Sequence, residues 1–338
     1  MPKSRVTIRE VSRLSGVSIA TVSRVINRLG NVSPETEARV RQAIESLSYH
    51  ADPLASGLKS GSSRTIGVVL PRFDNDYFMR ALKGIDEVFS QAEYSLMLAA
   101  THNIGARERQ AIANMLSFKA AGLIVATSLT DAAYFESIDA EQCPIVLIDR
   151  VVDSARLDMI AEDHLQPSRA VAQRLVDAGH RRIAIFGGSR NQGDALAERY
   201  LGAREACEAA GVPFDESRYV ETRFSLPDAY GAARAFFPTR GDTTAVFAMS
   251  DLVAMGVIRA LKDMGKRVPE DVSVFGFDGI EMGKYFLPSL TTIVQPQEEI
   301  ARKSVEVLLE MMTGGGTGRH ITLPAALARR ESVAAPRK

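Results

Sequence analysis

Acidic, basic and aromatic side chains recur just after short apolar runs, and their types suit recognition of a polyhydroxylated small molecule. Asp74, Asp76, Tyr77 and Phe78 follow the run Ile66 to Leu70, and Asp149 and Arg150 follow Ile145 to Ile148. Asp251 follows Ala245 to Ala248, and Asp278 ends the run that starts at Val272. Carboxylates and guanidinium groups hold adjacent hydroxyls in pairs, and a ring face covers the C–H surface of a sugar. An acid at a strand end also serves to cap the next helix, and the sequence leaves both roles open for each acid. Arg24 offers different chemistry: its fork matches a guanine edge, while Ile19 and Ala20 beside it can only touch thymine methyls or permit close approach. Ser18, Thr21, Ser23 and Asn31 suit phosphate. No reaction centre is legible. Cys143 and Cys207 lack C-x-x-C spacing, and Thr313 to Gly318 has neither the Lys-Ser/Thr of a P-loop nor a G-x-G-x-x-G spacing. Neither metal nor cofactor is expected, and the chain reads as a non-enzyme.

The elements that position these residues fall into two parts of unlike charge. The chain has 338 residues and no net charge, but residues 1 to 64 carry ten basic and five acidic side chains, which leaves the remainder five units negative. A basic module joined to an acidic body suits nucleic-acid binding, and a solvated basic face would show the same asymmetry. Hydrophobic residues make up 46% and charged residues 24%, which excludes disorder as the main description. The longest apolar stretch, near Ala120 to Ala126, is too short to span a bilayer. No apolar segment follows Lys3 and Arg5, so a cytoplasmic protein is expected.

Thr7-Ile8-Arg9-Glu10 is a capping box that starts a helix with Val11 and Leu14 on its core side, and Gly16 ends it. Ser18 caps a second helix that buries Val22, Val25 and Ile26, leaving Ile19, Ala20, Ser23, Arg24 and Asn27 outward. Ser33-Pro34-Glu35 starts a third helix with Val40, Ile44 and Leu47 inward. Two helices joined by a tight glycine turn form a helix-turn-helix, whose second helix reads the major groove. Residues 51 to 64 form a Gly/Ser-rich linker in which Asp52-Pro53 can open a short helix. From Thr65 onward, apolar runs alternate with amphipathic segments, the pattern of parallel sheets covered by helices, and about 270 residues suit two such units.

Val6-Thr7-Ile8-Arg9-Glu10-Val11, Gly16-Val17-Ser18 and Thr21-Val22-Ser23-Arg24-Val25-Ile26-Asn27 resemble the DNA-binding headpiece of the lactose/galactose repressor (LacI/GalR) family. The resemblance continues through Ile66-Gly67-Val68-Val69-Leu70-Pro71, Gly179-His180-Arg181-Arg182-Ile183-Ala184, Glu198-Arg199-Tyr200-Leu201-Gly202, Val268 to Asp278 and Leu290-Thr291-Thr292. It implies a helix-turn-helix headpiece over 1–50 and a hinge helix and linker over 51–64. A periplasmic-binding-protein-like core of two doubly wound parallel-sheet subdomains follows over 65–338. The N-subdomain would hold about 65–160 and 292–320, and the C-subdomain about 161–291 and 321–335. Thr7, Ser18, Ile19, Ala20, Thr21, Ser23, Arg24, Asn27, Asn31, Tyr49 and Leu54 would then face DNA, with Leu58 wedged into the minor groove at a central CG step. Arg199 and Asp278 would grip effector hydroxyls and Asp251 would assist. Tyr77, Phe78 and Phe224 would line the cleft, and Asp74, Asp76 and Arg150 would tune which ligand fits.

The chain departs from the family pattern at four places. Ser12 and Ser15 stand where alanines are usual and are expected to fit without effect. Ala51-Asp52-Pro53 replaces a Pro-Asn pair, and Glu162-Asp163 stands where Asp-Asn is common, leaving contacts from that crossover open. His180 reads as a turn residue.

The expectation is therefore a homodimeric repressor in the nucleoid, binding double-stranded, pseudo-palindromic operator DNA under control of a sugar-like effector, with no membrane partner. A purine or a phosphoprotein co-repressor is the alternative effector, and Arg150 where a ring would sit weighs against a purine. A transport binding protein is opposed by the basic headpiece and missing leader, and a sugar-metabolising enzyme by the missing catalytic constellation. A leucine-heptad tail is absent, so dimers are not expected to pair further.

Overall fold

The first helix, α1 (Ile8–Ser15), starts where the Glu10 carboxylate accepts from the Thr7 backbone N–H at 2.7 Å and the Thr7 hydroxyl at 3.0 Å. This gives a partner to a donor that the helix start would otherwise leave unmet. α1 ends at Gly16, whose φ of 70° is left-handed and whose N–H bonds the Ser12 carbonyl. The two departures on α1 are not silent: Ser12 Oγ donates to the Val17 carbonyl at 2.5 Å and Ser15 Oγ to the Val11 carbonyl at 2.7 Å. Ser12 thereby ties the end of α1 to the start of α2 (Ile19–Ile26). α3 (Pro34–Ser46) is capped by Ser33, whose Oγ accepts from the Thr36 N–H at 3.3 Å. Val11, Val22, Val25, Val40 and Ala43 form the core that these helices share. Leu14 was expected there but is 57% exposed. The inward stripe of α1 runs through Val11 and Ser15, and one residue step turns Leu14 roughly 100° away from Ser15.

The computed structural model describes residues 6–26, 30–49, 64–126, 130–138, 140–188 and 194–337. The expected hinge helix, with Leu54 and Leu58, and Asn27 lie outside the described residues. The chain divides into two units, Met1–Arg64 and Thr65–Lys338.

The second unit holds two six-stranded sheets. β1 (Thr65–Leu70), α4 (Asp76–Gln91), β2 (Ser95–Ala100), α5 (Gly105–Ser117), β3 (Gly122–Ala126), α6 (Ala132–Glu136), β4 (Ile145–Ile148) and β5 (Asp158–Glu162) build the first. The chain then runs through α7 (Leu165–Asp177), β6 (Ile183–Gly187), α8 (Asp194–Ala209), β7 (Tyr219–Glu221), α9 (Leu226–Phe236), β8 (Ala245–Ala248), α10 (Asp251–Asp263), β9 (Ser273–Asp278), α11 (Met282–Tyr285) and β10 (Thr292–Val294). It returns through α12 (Gln297–Met312) to β11 (His320–Leu323) and ends with β12 (Ala326–Ala328). The strand orders are β11-β5-β4-β3-β1-β2 and β12-β10-β9-β8-β6-β7. All neighbours pair in parallel except β12, which runs antiparallel to β10. Each sheet reverses its winding between its first and third strands, so the ligand crevice of this architecture lies beyond the carboxyl ends of β1, β4, β6, β8 and β9.

The subdomain boundaries shift by a few residues from those expected. Asp158 to Glu162 all lie in the first sheet, so the first crossing follows Glu162 rather than residue 160. β10 bonds β9, so residues 292–294 belong to the second sheet and the chain crosses at Gln295-Pro296. β11 bonds β5, so residues 321–323 stay with the first sheet and the last crossing is at Pro324-Ala325. Backbone pairing sets these limits, and apolar patterning did not reveal three-residue strands.

Asp158 sets the edge of the first sheet. It is fully buried, and the Arg319 Nε donates to it at 2.6 Å, tying β11 to β5. Asp158→Ala is expected to lower stability by about 3 kcal/mol, the low end for breaking a buried pair, because the Arg319 side chain is a third exposed and can rehydrate. Urea denaturation measures it, and a loss below about 1 kcal/mol would show the pair to be dispensable.

Candidate functional site

In the first unit, α2 presents Ile19, Ala20 and Arg24 to solvent with Ser23 half-buried, while Val22 and Val25 are buried beneath them. Ser18 and Thr21 are partly committed to the helix start: Ser18 Oγ accepts from the Thr21 N–H at 3.2 Å and lies 2.9 Å from its hydroxyl. Thr7 is the cap of α1, Asn31 holds a left-handed φ of 56°, and Tyr49 packs half-buried on the headpiece core. The exposed face thus combines one guanidinium with small and apolar groups, the chemistry of base-edge reading.

In the second unit, the strand-end residues gather into a chain of buried polar contacts. Asn75, not an acid, caps α4 by accepting from the Tyr77 N–H at 3.0 Å, and Ser250 caps α10. The capping role weighed for Asp76 and Asp251 therefore belongs to their neighbours. The Tyr77 hydroxyl stands 2.8 Å from Asp149 Oδ1 and 2.6 Å from Glu162 Oε1. A phenol has one proton and can satisfy only one of two carboxylates, so this arrangement needs a second proton. Burial, followed by the nearby Asp149 charge, holds the Glu162 carboxyl well above the usual range, which identifies Glu162 as its carrier.

His164 links this group to the next. Its Nε2 lies 3.8 Å from Asp149 and 3.9 Å from Glu162, and its Nδ1 lies 3.4 Å from Arg199 Nη2. A guanidinium only donates, so Nδ1 is the acceptor and Nε2 carries the hydrogen. Asp149, Glu162 and His164 offer ligand atoms within 4.8 Å of one another, as a metal site would. With its hydrogen on Nε2, however, His164 presents no lone pair to an ion there.

Arg199, 6% exposed on α8, stacks on the Phe277 ring at 3.9 Å, donates to the Met249 carbonyl at 2.6 Å and stands 3.8 Å from Asp278. The Gln295 amide donates to Asp278 at 2.7 Å. Glu162 Oε2, Arg199 Nε and Gln295 Oε1 along this chain are buried and have no hydrogen-bond partner. Such atoms cost about 1–3 kcal/mol each unless water or a ligand meets them.

The expected contacts divide on this geometry. Arg199 and Asp278 come together, and Tyr77 reaches the group from α4. Phe78 is buried edge-on against Tyr77 at 4.9 Å, and Phe224 is partly buried against the second sheet's cores. Asp251 is buried inside the fold, where it accepts from Thr292 at 2.6 Å and the Ile280 N–H at 2.8 Å and so anchors the loop after β9. Asp74 pairs bidentately with Arg72 at an exposed position, Asp76 is exposed, and Arg150 donates to the Thr130 carbonyl. Sequence reasoning missed Glu162 and His164 as participants. Glu162 was signalled only as a departure from a pattern, and His164 by nothing but its nearness to that crossover. His180 is the structural residue expected: its ring nitrogens meet the Thr244 hydroxyl at 3.0 Å and the Ala334 carbonyl at 2.9 Å.

Burial raises the Asp278 carboxyl to about 7 against the pull of Arg199 and Gln295. The native state thus keeps a proton that the unfolded chain loses above about pH 4, so this group weakens the fold progressively between about pH 4 and 7. Asp278→Asn is expected to flatten the gain in stability on going from about pH 8 to 6.5, as read by denaturation midpoints. Below that window His164 and His180, both held low first by burial, act in the opposite direction. An unchanged slope would place the buried proton elsewhere.

Residues 7–52 match the family model of bacterial regulatory proteins of the lacI family, and residues 172–333 match that of a periplasmic binding protein-like domain. The HTH-type transcriptional repressor PurR of Vibrio atlanticus (strain LGP32) is 32% identical over 90% of this chain and 91% of its own. The structure of the lac repressor dimer bound to operator and the anti-inducer ONPF covers 98% of this chain and 100% of its own, with a TM-score of 0.84 at 25% identity. The transcriptional regulator CelR–cellobiose complex covers 97% and 100%, with a TM-score of 0.71 at 29% identity.

Proposed function

The chain belongs to the lacI family of bacterial regulatory proteins and is a DNA-binding transcriptional repressor with an effector-binding domain, and from this premise we propose that it acts as a homodimer on a pseudo-palindromic operator under control of a sugar or sugar derivative. The observation that carries the DNA half is the exposed Ile19, Ala20 and Arg24 above buried Val22 and Val25. The solved relative holding cellobiose supports the effector class, as do the unpartnered polar atoms along the Arg199–Asp278–Glu162 chain, because a polyol supplies donors and acceptors together. Tyr77, Phe78 and Phe224 would line its site, and Asp74, Asp76 and Arg150 would stand at its margin. Ser18, Thr21, Ser23 and Asn31 would contact the operator phosphates, Thr7, Asn27, Tyr49 and Leu54 would also face the DNA, and Leu58 would wedge into the minor groove. Among the described residues no helix is long and apolar enough to cross a membrane. We place the protein in the cytoplasm, on the nucleoid, because its operator is there.

Fluorescence anisotropy on operator libraries tests the reading at fixed salt. Arg24→Ala is expected to relax preference at one base pair per half-site by about 1–3 kcal/mol. Uniform weakening across all sequences would make Arg24 a phosphate contact instead. Half-sites that bind without symmetry would count against the dimer.

A further inference from the structure

Resting on that reading of the cleft, we propose that the effector is an uncharged sugar and that Gln297 reads two of its adjacent hydroxyls. Gln297 is 1% exposed, and neither its side-chain nitrogen nor its side-chain oxygen has a hydrogen-bond partner among the described residues. It opens α12 just past the second crossing between the sheets. Pro296, with φ of −87° and ψ of 51°, makes an inverse γ-turn there, in which the Gln297 N–H donates to the Gln295 carbonyl at 3.1 Å. The turn keeps both glutamines close to the carboxyl ends of β9 and β10, where the Gln295 amide donates to Asp278 and keeps its Oε1 unpartnered. Arg199, also beside Asp278, keeps its Nε unpartnered.

These atoms are two donors, Arg199 Nε and Gln297 Nε2, and two acceptors, Gln295 Oε1 and Gln297 Oε1. Donors and acceptors in equal number suit hydroxyls, each of which both gives and takes a hydrogen bond. The Gln297 amide presents its N–H and its C=O side by side, so one hydroxyl meets one of them well and a pair on adjacent carbons meets both. Both amides are neutral, and Glu298 and Glu299 stand in the first turn of α12. A phosphate or carboxylate seated against Gln297 would therefore exchange its water for neutral partners close to acids. An ammonium would bond the Gln297 oxygen and leave the adjacent N–H facing a cation that accepts nothing. A ligand bonded here is held on both sides of the crossing, because Gln295 follows a strand of the second sheet and Gln297 opens the helix that packs on the first.

Isothermal titration of the full chain with ribose, glucose, galactose and cellobiose, and with glucose 6-phosphate, glucosamine and hypoxanthine alongside, tests this. One of the four neutral sugars is expected to bind tightest, and two of its monodeoxy analogues, each lacking one of two adjacent hydroxyls, to bind about ten-fold or more weaker. Gln297→Met keeps the length of the side chain without its polar atoms. It is expected to weaken the parent sugar about ten-fold or more, and those two analogues by less than about three-fold, because the contact they lack is the one removed. The effector-free variant is expected to melt no lower than the parent chain, since it loses an unpartnered buried amide and no bond. A midpoint lower by about 2 °C or more would show the amide to be met inside the fold and would overturn the proposal. So would equal affinity of parent and variant for the sugar, or losses at no two adjacent hydroxyls. Tightest binding of glucose 6-phosphate or glucosamine would overturn the uncharged effector while leaving the sugar reading standing. Binding of none of the sugars, or of hypoxanthine alone, would overturn both.

Discussion

A chain beginning at Thr65 is expected to show no operator binding while keeping the thermal transition and effector response of the full protein. The four apolar clusters of the second unit draw every residue from position 66 onward, so removing residues 1–64 takes nothing from them. The headpiece has its own core, and Ile19, Ala20 and Arg24, the residues expected to read base edges, stand exposed on α2 of the headpiece. Specific binding exceeds non-specific binding by roughly 10³ or more, and that factor is lost with the recognition helix. The remainder is five charges negative, so its attraction for phosphate is lost as well. Anisotropy with operator DNA and calorimetry with effector provide the two measurements. A truncated chain that still retards the operator would sink the assignment of DNA binding to α2. One that melts early would show that the units stabilise each other.

The strands that sequence patterning found are those buried on both faces. Ile66 to Leu70, Leu123 to Ala126, Ile145 to Ile148, Ile183 to Phe186 and Ala245 to Ala248 all lie in observed strands, because a parallel strand between two helical layers must be apolar throughout. β5 escaped notice because it begins at Asp158 and ends at Glu162, both buried, one paired with Arg319 and the other with Tyr77. β2, an edge strand with exposed and half-exposed side chains, escaped although Leu96 to Ala100 is an unbroken apolar run. The headpiece was legible down to its caps, since capping is local and its signals lie within three residues. The cleft was legible only in part, because proximity across two sheets is not local. That Asp251 anchors the loop after β9 had no signal in sequence, and Glu162, legible only as a departure from a pattern, sits between Tyr77 and His164.

The same geometry suggests how an effector would be felt across the cleft. Arg80, one turn beyond Tyr77 on α4, donates to the Gly279 carbonyl at 3.1 Å and pairs with Glu298 at the start of α12 at 3.2 Å. Tyr77 holds the acid pair of the first sheet, and Gly279 follows Asp278 of the second. A ligand seated between them changes the relative stability of two subdomain arrangements only as far as it binds one better. α4 is thus an element whose contacts sample both sides.

Gly202→Val is expected to be among the most damaging single substitutions in the second unit. A Cβ at Gly202 would stand 2.3 Å from the Leu165 carbonyl oxygen and 3.0 Å from the Arg169 nitrogen, both backbone atoms of α7. Backbone has no rotamer by which to give way, so α7 and α8 would have to separate. Overpacking of a well-packed site costs about 1–3 kcal/mol, and a backbone obstacle places this case at or above the upper end. The effect would reach the site, because Arg199 lies on α8 less than a turn before Gly202 and its 2.6 Å bond to the Met249 carbonyl tolerates little shift. We expect urea denaturation to show a loss of about 3 kcal/mol or more, and effector affinity to fall together with it. Gly202→Ala should lie between, since a single methyl meets the same carbonyl oxygen with less bulk behind it. A valine variant within about 0.5 kcal/mol of the parent would mean that α8 can slide without cost. The close approach of these two helices would then not be what fixes Arg199.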